Sequence, residues 1–170
     1  CHKWMCSPKG VSFLYVKKNH QNKIDPLVVS WGYDSDFPSK SKFLDYHQWQ
    51  GTKDMSAYLT IPYTIKFLKE NNWNKIREKC NKINIWARNE INNLLDKENI
   101  CDDKFLGQMS SIYMDIEANP KNNIKFYKKY NIQVPFILWN NKSFFRISIQ
   151  VYNTKEDIHK LLYALKKHML

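Results

Sequence analysis

Glycine is scarce, 4 residues in 170, which excludes collagen-like and glycine-linker architectures. No apolar run reaches the ~18 residues that a membrane-spanning helix needs, so no membrane association is expected. Arginine is scarcer still. Of 27 basic residues only Arg77, Arg88 and Arg146 are arginine. Surfaces dedicated to nucleic acid favour arginine for bidentate phosphate and base contacts. Here a formal charge of +11 is carried by lysines scattered among asparagines, which reads as solvated faces, with no nucleic acid expected as a partner. Cysteine occurs at positions 1, 6, 80 and 101 without a Cys-x-x-Cys pair. Cys1 and Cys6 flank His2, but not at the spacing of a usual zinc site, so no metal centre is expected. Reduced thiols in a cytoplasmic protein are the plain reading. The chain opens Cys-His-Lys, with neither an initiator Met nor a signal peptide, which suggests processing or a fragment of a longer product.

What the chain has is a core. Hydrophobic residues make up 43% and aromatic residues 15%, enough to exclude wholesale disorder. Val11–Val16 and Leu27–Val29 read as short buried strands. An irregular aromatic stretch runs from Trp31 to Gly51, and a loop of that length is usually functional. A helix is expected after Thr52, capped by Asp54 or Ser56, with Ala57, Ile61, Ile65 and Leu68 as its stripe and Pro62 near its start. From Trp73, the positions Ile76, Cys80, Ile83, Ala87, Ile91 and Leu94 recur at steps of three and four, the spacing of one helical face. Then follow a strand near Ser110–Ile116, a helix near Asn122–Tyr130, and strands at Gln133–Trp139 and Phe144–Val151 joined by a hairpin-like turn at Asn140–Ser143. A last helix from Lys155, capped by Asn153 or Thr154, carries Ile158, Leu161, Leu162, Leu165 and Met169. Residues 73–170 thus read as a small α+β domain opening on a long linker helix, and 1–72 as part of another domain.

Three segments have the residue types of a chemical site. Lys3 stands in a loop before an apolar run, where partial desolvation would lower its pKa and make it a nucleophile for Schiff-base chemistry; a solvated surface lysine is the plainer alternative. Gly51 and Thr52 precede a helix start, where close backbone approach, a hydroxyl and an N–H suit an anion such as phosphate; an ordinary turn is the alternative. In Phe145–Gln150 strand alternation puts Phe145, Ile147 and Ile149 on one face and Arg146, Ser148 and Gln150 on the other. Where lysine is the default, an arginine in a strand suggests planar bidentate binding of a carboxylate, the alternative being a structural salt bridge.

Together these segments resemble the class V aminotransferases, a branch of the fold-type I pyridoxal-phosphate (PLP) enzymes, and within it the isopenicillin-N-epimerase-like proteins. The resemblance rests on His-Lys-Trp-Met-Cys-Ser-Pro-Lys-Gly at 2–10, Pro-Leu-Val-Val-Ser-Trp-Gly at 26–32, Trp-Gln-Gly-Thr-Lys-Asp at 49–54 and Arg-Ile-Ser-Ile-Gln-Val-Tyr-Asn-Thr at 146–154. It implies an α/β chain: the tail of the large seven-stranded PLP-binding domain over 1–72, and the small C-terminal α+β domain over 73–170. It implies that Lys3 is the Schiff-base lysine and His2 its neighbour at the cofactor. Gly51 and Thr52 would reach the PLP phosphate of the neighbouring subunit in a homodimer. Arg146 would bind the α-carboxylate of an amino-acid substrate.

The reaction implied is epimerisation or racemisation at Cα, with C–S lyase or transaminase outcomes as alternatives on the same cofactor. Desulfurases of this fold carry a cysteine shortly before the strand bearing the carboxylate arginine. Residues 130–145 contain none, and all four cysteines read as non-catalytic. The residues that in this family stack on the ring and pair with its nitrogen fall in a first half that the chain does not include, so the chain alone is expected to be inactive. Two other classes stay open: a non-catalytic remnant that keeps the fold, which intact Lys3, Thr52 and Arg146 argue against, and a basic nucleic-acid-binding module, which a steep salt dependence of DNA binding would support.

Overall fold

The structure, a computed structural model, describes residues 1–169, and of Met169 the backbone only, so that the end of the stripe read into the last helix lies outside the described side chains. The chain divides into two compact units, residues 1–71 and 72–170.

The first unit has little regular structure. Residues 1–11 form a tied loop. The Cys1 nitrogen donates to the Val11 carbonyl at 2.9 Å, Ser7 N–H donates to Cys1 O and Cys6 N–H to Lys3 O, each at 3.2 Å, and Ser7 and Val11 are buried. A 3-10 turn covers Lys18–Lys23. Helices α1 (Lys42–Gln48), α2 (Ser56–Leu59) and α3 (Ile61–Glu70) follow. Ser41 caps α1 by accepting from Leu44 N–H. Pro62 lies in the first turn of α3, where its missing N–H costs nothing. The stripe of Ala57, Ile61 and Leu68 is half-buried, and Ile65 is exposed. The glycine in the aromatic loop has a local reason, because a Cβ at Gly32 would be driven into the Asp45 backbone carbonyl.

The strands expected at Val11–Val16 and Leu27–Val29 do not form. Phe13, Leu14, Tyr15, Leu27 and Val29 are exposed, Leu27 fully so. A strand exists only by pairing, and the three described strands all lie beyond residue 100, in the second unit.

The second unit has the expected order of elements, α4 (Trp73–Leu95), β1 (Met109–Tyr113), α5 (Pro120–Tyr130), β2 (Phe136–Trp139), β3 (Lys142–Ser148) and α6 (Lys155–Met169), with strands shorter than expected: β1 stops before Ile116, β2 starts after Gln133, and β3 starts at Lys142 and stops before Val151. The strands make an antiparallel sheet in the order β1-β3-β2. Its inner face, Ile112, Phe136, Phe145 and Ile147, packs with Cys80, Ala87 and Ile91 of α4, Phe126 of α5, and Ile158, Leu161 and Leu165 of α6. Burial pushes the Cys80 thiol pKa up. Trp139 pairs with Lys142, leaving a two-residue turn. Both turn residues have positive φ, Asn140 at 48° and Asn141 at 58°, the primed turn that matches strand twist. Asn72, Asp96 and Asn131 take the left-handed positions at helix ends, so asparagine and aspartate do here what glycine does in most chains. At the start of α6, Thr154 Oγ1 accepts from Asp157 N–H at 3.4 Å and Asp157 Oδ2 accepts from Thr154 N–H at 2.9 Å, a reciprocal cap.

Candidate functional site

Lys3 sits in a turn held between Cys1 and Val11, and its side chain and that of His2 are exposed. The desolvation anticipated for Lys3 is absent because the apolar run meant to shield it is itself exposed at Phe13, Leu14 and Tyr15. The Lys3 ammonium makes no hydrogen bond or ion pair among the described residues, which leaves its amine available to a carbonyl ligand.

Gly51 has φ 110°, and nothing lies within 4 Å of where a Cβ would stand. Thr52 is exposed, and its hydroxyl has no partner among the described residues. Met55 stands at the N-cap of α2 without a side-chain cap, but the first helical N–H is already taken. Asp54 Oδ1 accepts from Ser56 N–H at 2.8 Å and from the Ser56 hydroxyl at 2.6 Å, and these bonds hold the Asp54 carboxyl below its ordinary pKa. Any anion at this turn therefore meets the Gly51–Thr52 backbone and hydroxyl rather than the first N–H of α2.

Arg146 lies in the central strand, cross-strand from Ser111. Its neighbours Phe145 and Ile147 face the core, as alternation requires, and Arg146 is half-buried on the other face. It takes part in none of the ion pairs among the described residues, so the salt-bridge reading fails. Its Nε is buried without an acceptor. An unpaired buried donor of this kind costs about 1–3 kcal/mol, and a native fold that keeps one has a reason for it. Arg146 borders a cleft of about 740 Å³ with Asn123, Ile124, Tyr127, Gln133 and Val134. On another side it borders a cavity of about 300 Å³ with Arg88, Cys101, Ser110 and Ser111.

Lys3 and His2 share one turn and Gly51 and Thr52 another, both in the first unit, while Arg146 belongs to the second. Each taken by itself, the groups have the chemistry that a PLP-type cofactor and its substrate call for: a primary amine at Lys3, an open glycine turn and hydroxyl at Gly51 and Thr52, and at Arg146 a guanidinium without an ion-pair partner among the described residues.

Sequence reasoning missed Arg88. It is 2% exposed on the inner side of α4, donates through Nη1 to Cys101 O at 2.9 Å, and is ion-paired with Asp103. The signal was there: an arginine in a lysine-rich chain, one step from Ala87 and three from Ile91 on the buried stripe. Among the described residues no cluster of His, Cys, Asp and Glu could hold a metal, the four cysteines are unpaired, and no helix is long and apolar enough to cross a membrane.

The chain is similar to curated proteins along almost all of its length. It is 25% identical to isopenicillin N epimerase of Amycolatopsis lactamdurans, over 98% of this chain and 45% of that protein. It is 26% identical to a probable chloroplastic L-cysteine desulfhydrase of Arabidopsis thaliana, over 96% and 38%, and 24% identical to hercynylcysteine sulfoxide lyase of Schizosaccharomyces pombe, over 97% and 43%. The chain thus spans less than half the length of these relatives. The family model for aminotransferase class V matches residues 1–161, and the chain belongs to that family, which implies the PLP-transferase fold.

Proposed function

We propose that this chain is the C-terminal part of a PLP-dependent enzyme acting at Cα of an amino acid, with epimerisation as its reaction. The observation that carries the reading is Arg146: a strand arginine, half-buried, with its Nε unsatisfied and no carboxylate of its own. A planar fork held this way suits a carboxylate in two parallel hydrogen bonds. Lys3 is the cofactor-bearing lysine, with His2 beside it, and Gly51 and Thr52 offer the phosphate a backbone N–H and a hydroxyl. When bound, the cofactor supplies an electron sink for charge at Cα.

The rest is the work of the chain's own groups. Arg146 fixes the substrate by its carboxylate and so sets which face of Cα is presented. The Lys3 amine, free of partners among the described residues, takes the Cα proton from the face it reaches, and inversion of the centre requires a second proton donor, solvent water or another acid, on the opposite face. Names among the relatives keep C–S lyase chemistry as the second reading. The exposed runs at 13–15 and 27–29 are, in this proposal, strands of the large PLP-binding domain whose neighbours lie in the part of the relatives that this chain does not span. The assembly proposed is a homodimer, with Thr52 at the neighbour's phosphate.

The test is proton exchange. An epimerase washes solvent deuterium into Cα of the recovered amino acid and inverts it. Release of sulfide or pyruvate without inversion would favour the lyase reading.

A further inference from the structure

Resting on the reading of Arg146 as the carboxylate arginine, we infer that the cavity it shares with Arg88 is a two-arginine receptor selecting an amino acid with a short anionic side chain: Arg146 takes the α-carboxylate and Arg88 the side-chain anion. The cavity, about 300 Å³, is lined by Arg88, Cys101, Met109, Ser110, Ser111 and Arg146 among others. Arg88 is buried to 2% exposure. Its Nη1 donates to Cys101 O and its Nη2 to Asn89 Oδ1 and Asp103, but its Nε, like that of Arg146, is buried with no acceptor. Ser110 is spent on Asn84 Oδ1, at 3.0 Å. The hydroxyl of Ser111, opposite Arg146 in the ladder, has no partner among the described residues.

Charge decides the ligand class. The lining holds two guanidiniums and no carboxylate, and one of the two, Arg88, is paired with Asp103, whose side chain is 56% exposed, so one positive charge is left uncompensated. A neutral amino acid leaves that charge in place. An amino acid with an acidic side chain carries one net negative charge and cancels it. The small volume favours a short side chain. Asp103 is then a resident competitor for Arg88, holding a nitrogen that a ligand would otherwise use.

The test is titration calorimetry on the full-length chain at low salt with L-aspartate, L-asparagine and L-alanine. Aspartate should bind about tenfold more tightly than its isostere asparagine. Arg88→Met should abolish that preference. Because a buried arginine variant can fail to fold, Asp103→Asn is the second variant: it frees Arg88 and should tighten aspartate binding about threefold or more, a gain that a damaged fold does not produce. Equal affinities for aspartate and asparagine, or an aspartate preference that Asp103→Asn leaves unchanged, overturn the inference while Arg146 keeps its role. No binding of any of the three, or binding that survives Arg146→Gln, defeats the reading of Arg146 and this inference with it.

Discussion

Ser111 and Arg146 face each other across the β1–β3 ladder, so a serine, with no charge of its own, is the residue directly opposite the guanidinium's strand position. A carboxylate at position 111 would have neutralised Arg146. A serine leaves the fork unclaimed. Replacing Arg146 with Lys keeps the charge and loses the two parallel donors, so carboxylate affinity should fall by about 1.5–3 kcal/mol, read as a rise in substrate KM or ligand Kd. Ser111→Asp should have the same sign, by filling the site from within.

The β2–β3 turn makes a sharper stability test. Asn141 holds φ 58°, a conformation that costs an L-residue with a Cβ about 1–2 kcal/mol and glycine nothing. Asn141→Gly should leave the urea midpoint unchanged or raise it. Asn141→Ala should lower the midpoint, corresponding to a loss of about 1 kcal/mol of stability.

In the core, Ile91 is fully buried on α4. Ile91→Ala should destabilise the protein by about 2–5 kcal/mol. Thr154→Ala, which removes the reciprocal cap of α6, should cost about 1 kcal/mol. The two sites are far apart in sequence and share no hydrogen-bond partner among the described residues, so their effects on stability should add.

His168 predicts a pH dependence. Burial first, then Lys129 and Lys125 on α5, lower its pKa, and the rings of Phe126 and Tyr130 pack against it edge-on. The unfolded chain therefore binds a proton that the folded chain refuses. Stability from this source is complete above the ordinary histidine pKa and is lost as pH falls below it. His168→Gln should flatten the stability profile between pH 7 and about 5.

The homodimer proposal has its own test. Inactive Lys3→Ala and Thr52→Ala variants, mixed and reassorted, should recover about a quarter of native sites, since only hybrid dimers hold one intact site. No recovery, with hybrids confirmed by mass spectrometry, means each site is built within one chain.

The second unit was legible in the sequence because its elements carry their own periodicity. The stripe from Trp73 to Leu94, the alternation around Arg146 and the Asn-Asn turn are local patterns with local causes. Val11–Val16 and Leu27–Val29 have the composition of strands, but pairing is a property of neighbours, and composition cannot supply one. Arg88 escaped because the helical stripe was read through its apolar members alone. Its burial depends on Asp103 and the Cys101 carbonyl, groups that only the fold brings to it.

The central claim is that Lys3 carries the cofactor. Borohydride reduction of the protein expressed from its whole reading frame, followed by peptide mapping, tests it most directly. The prediction is a single pyridoxyl group on Lys3, lost together with the visible absorbance in Lys3→Ala. A pyridoxyl group on any other lysine, or none in a preparation that is folded and supplied with PLP, would contradict it.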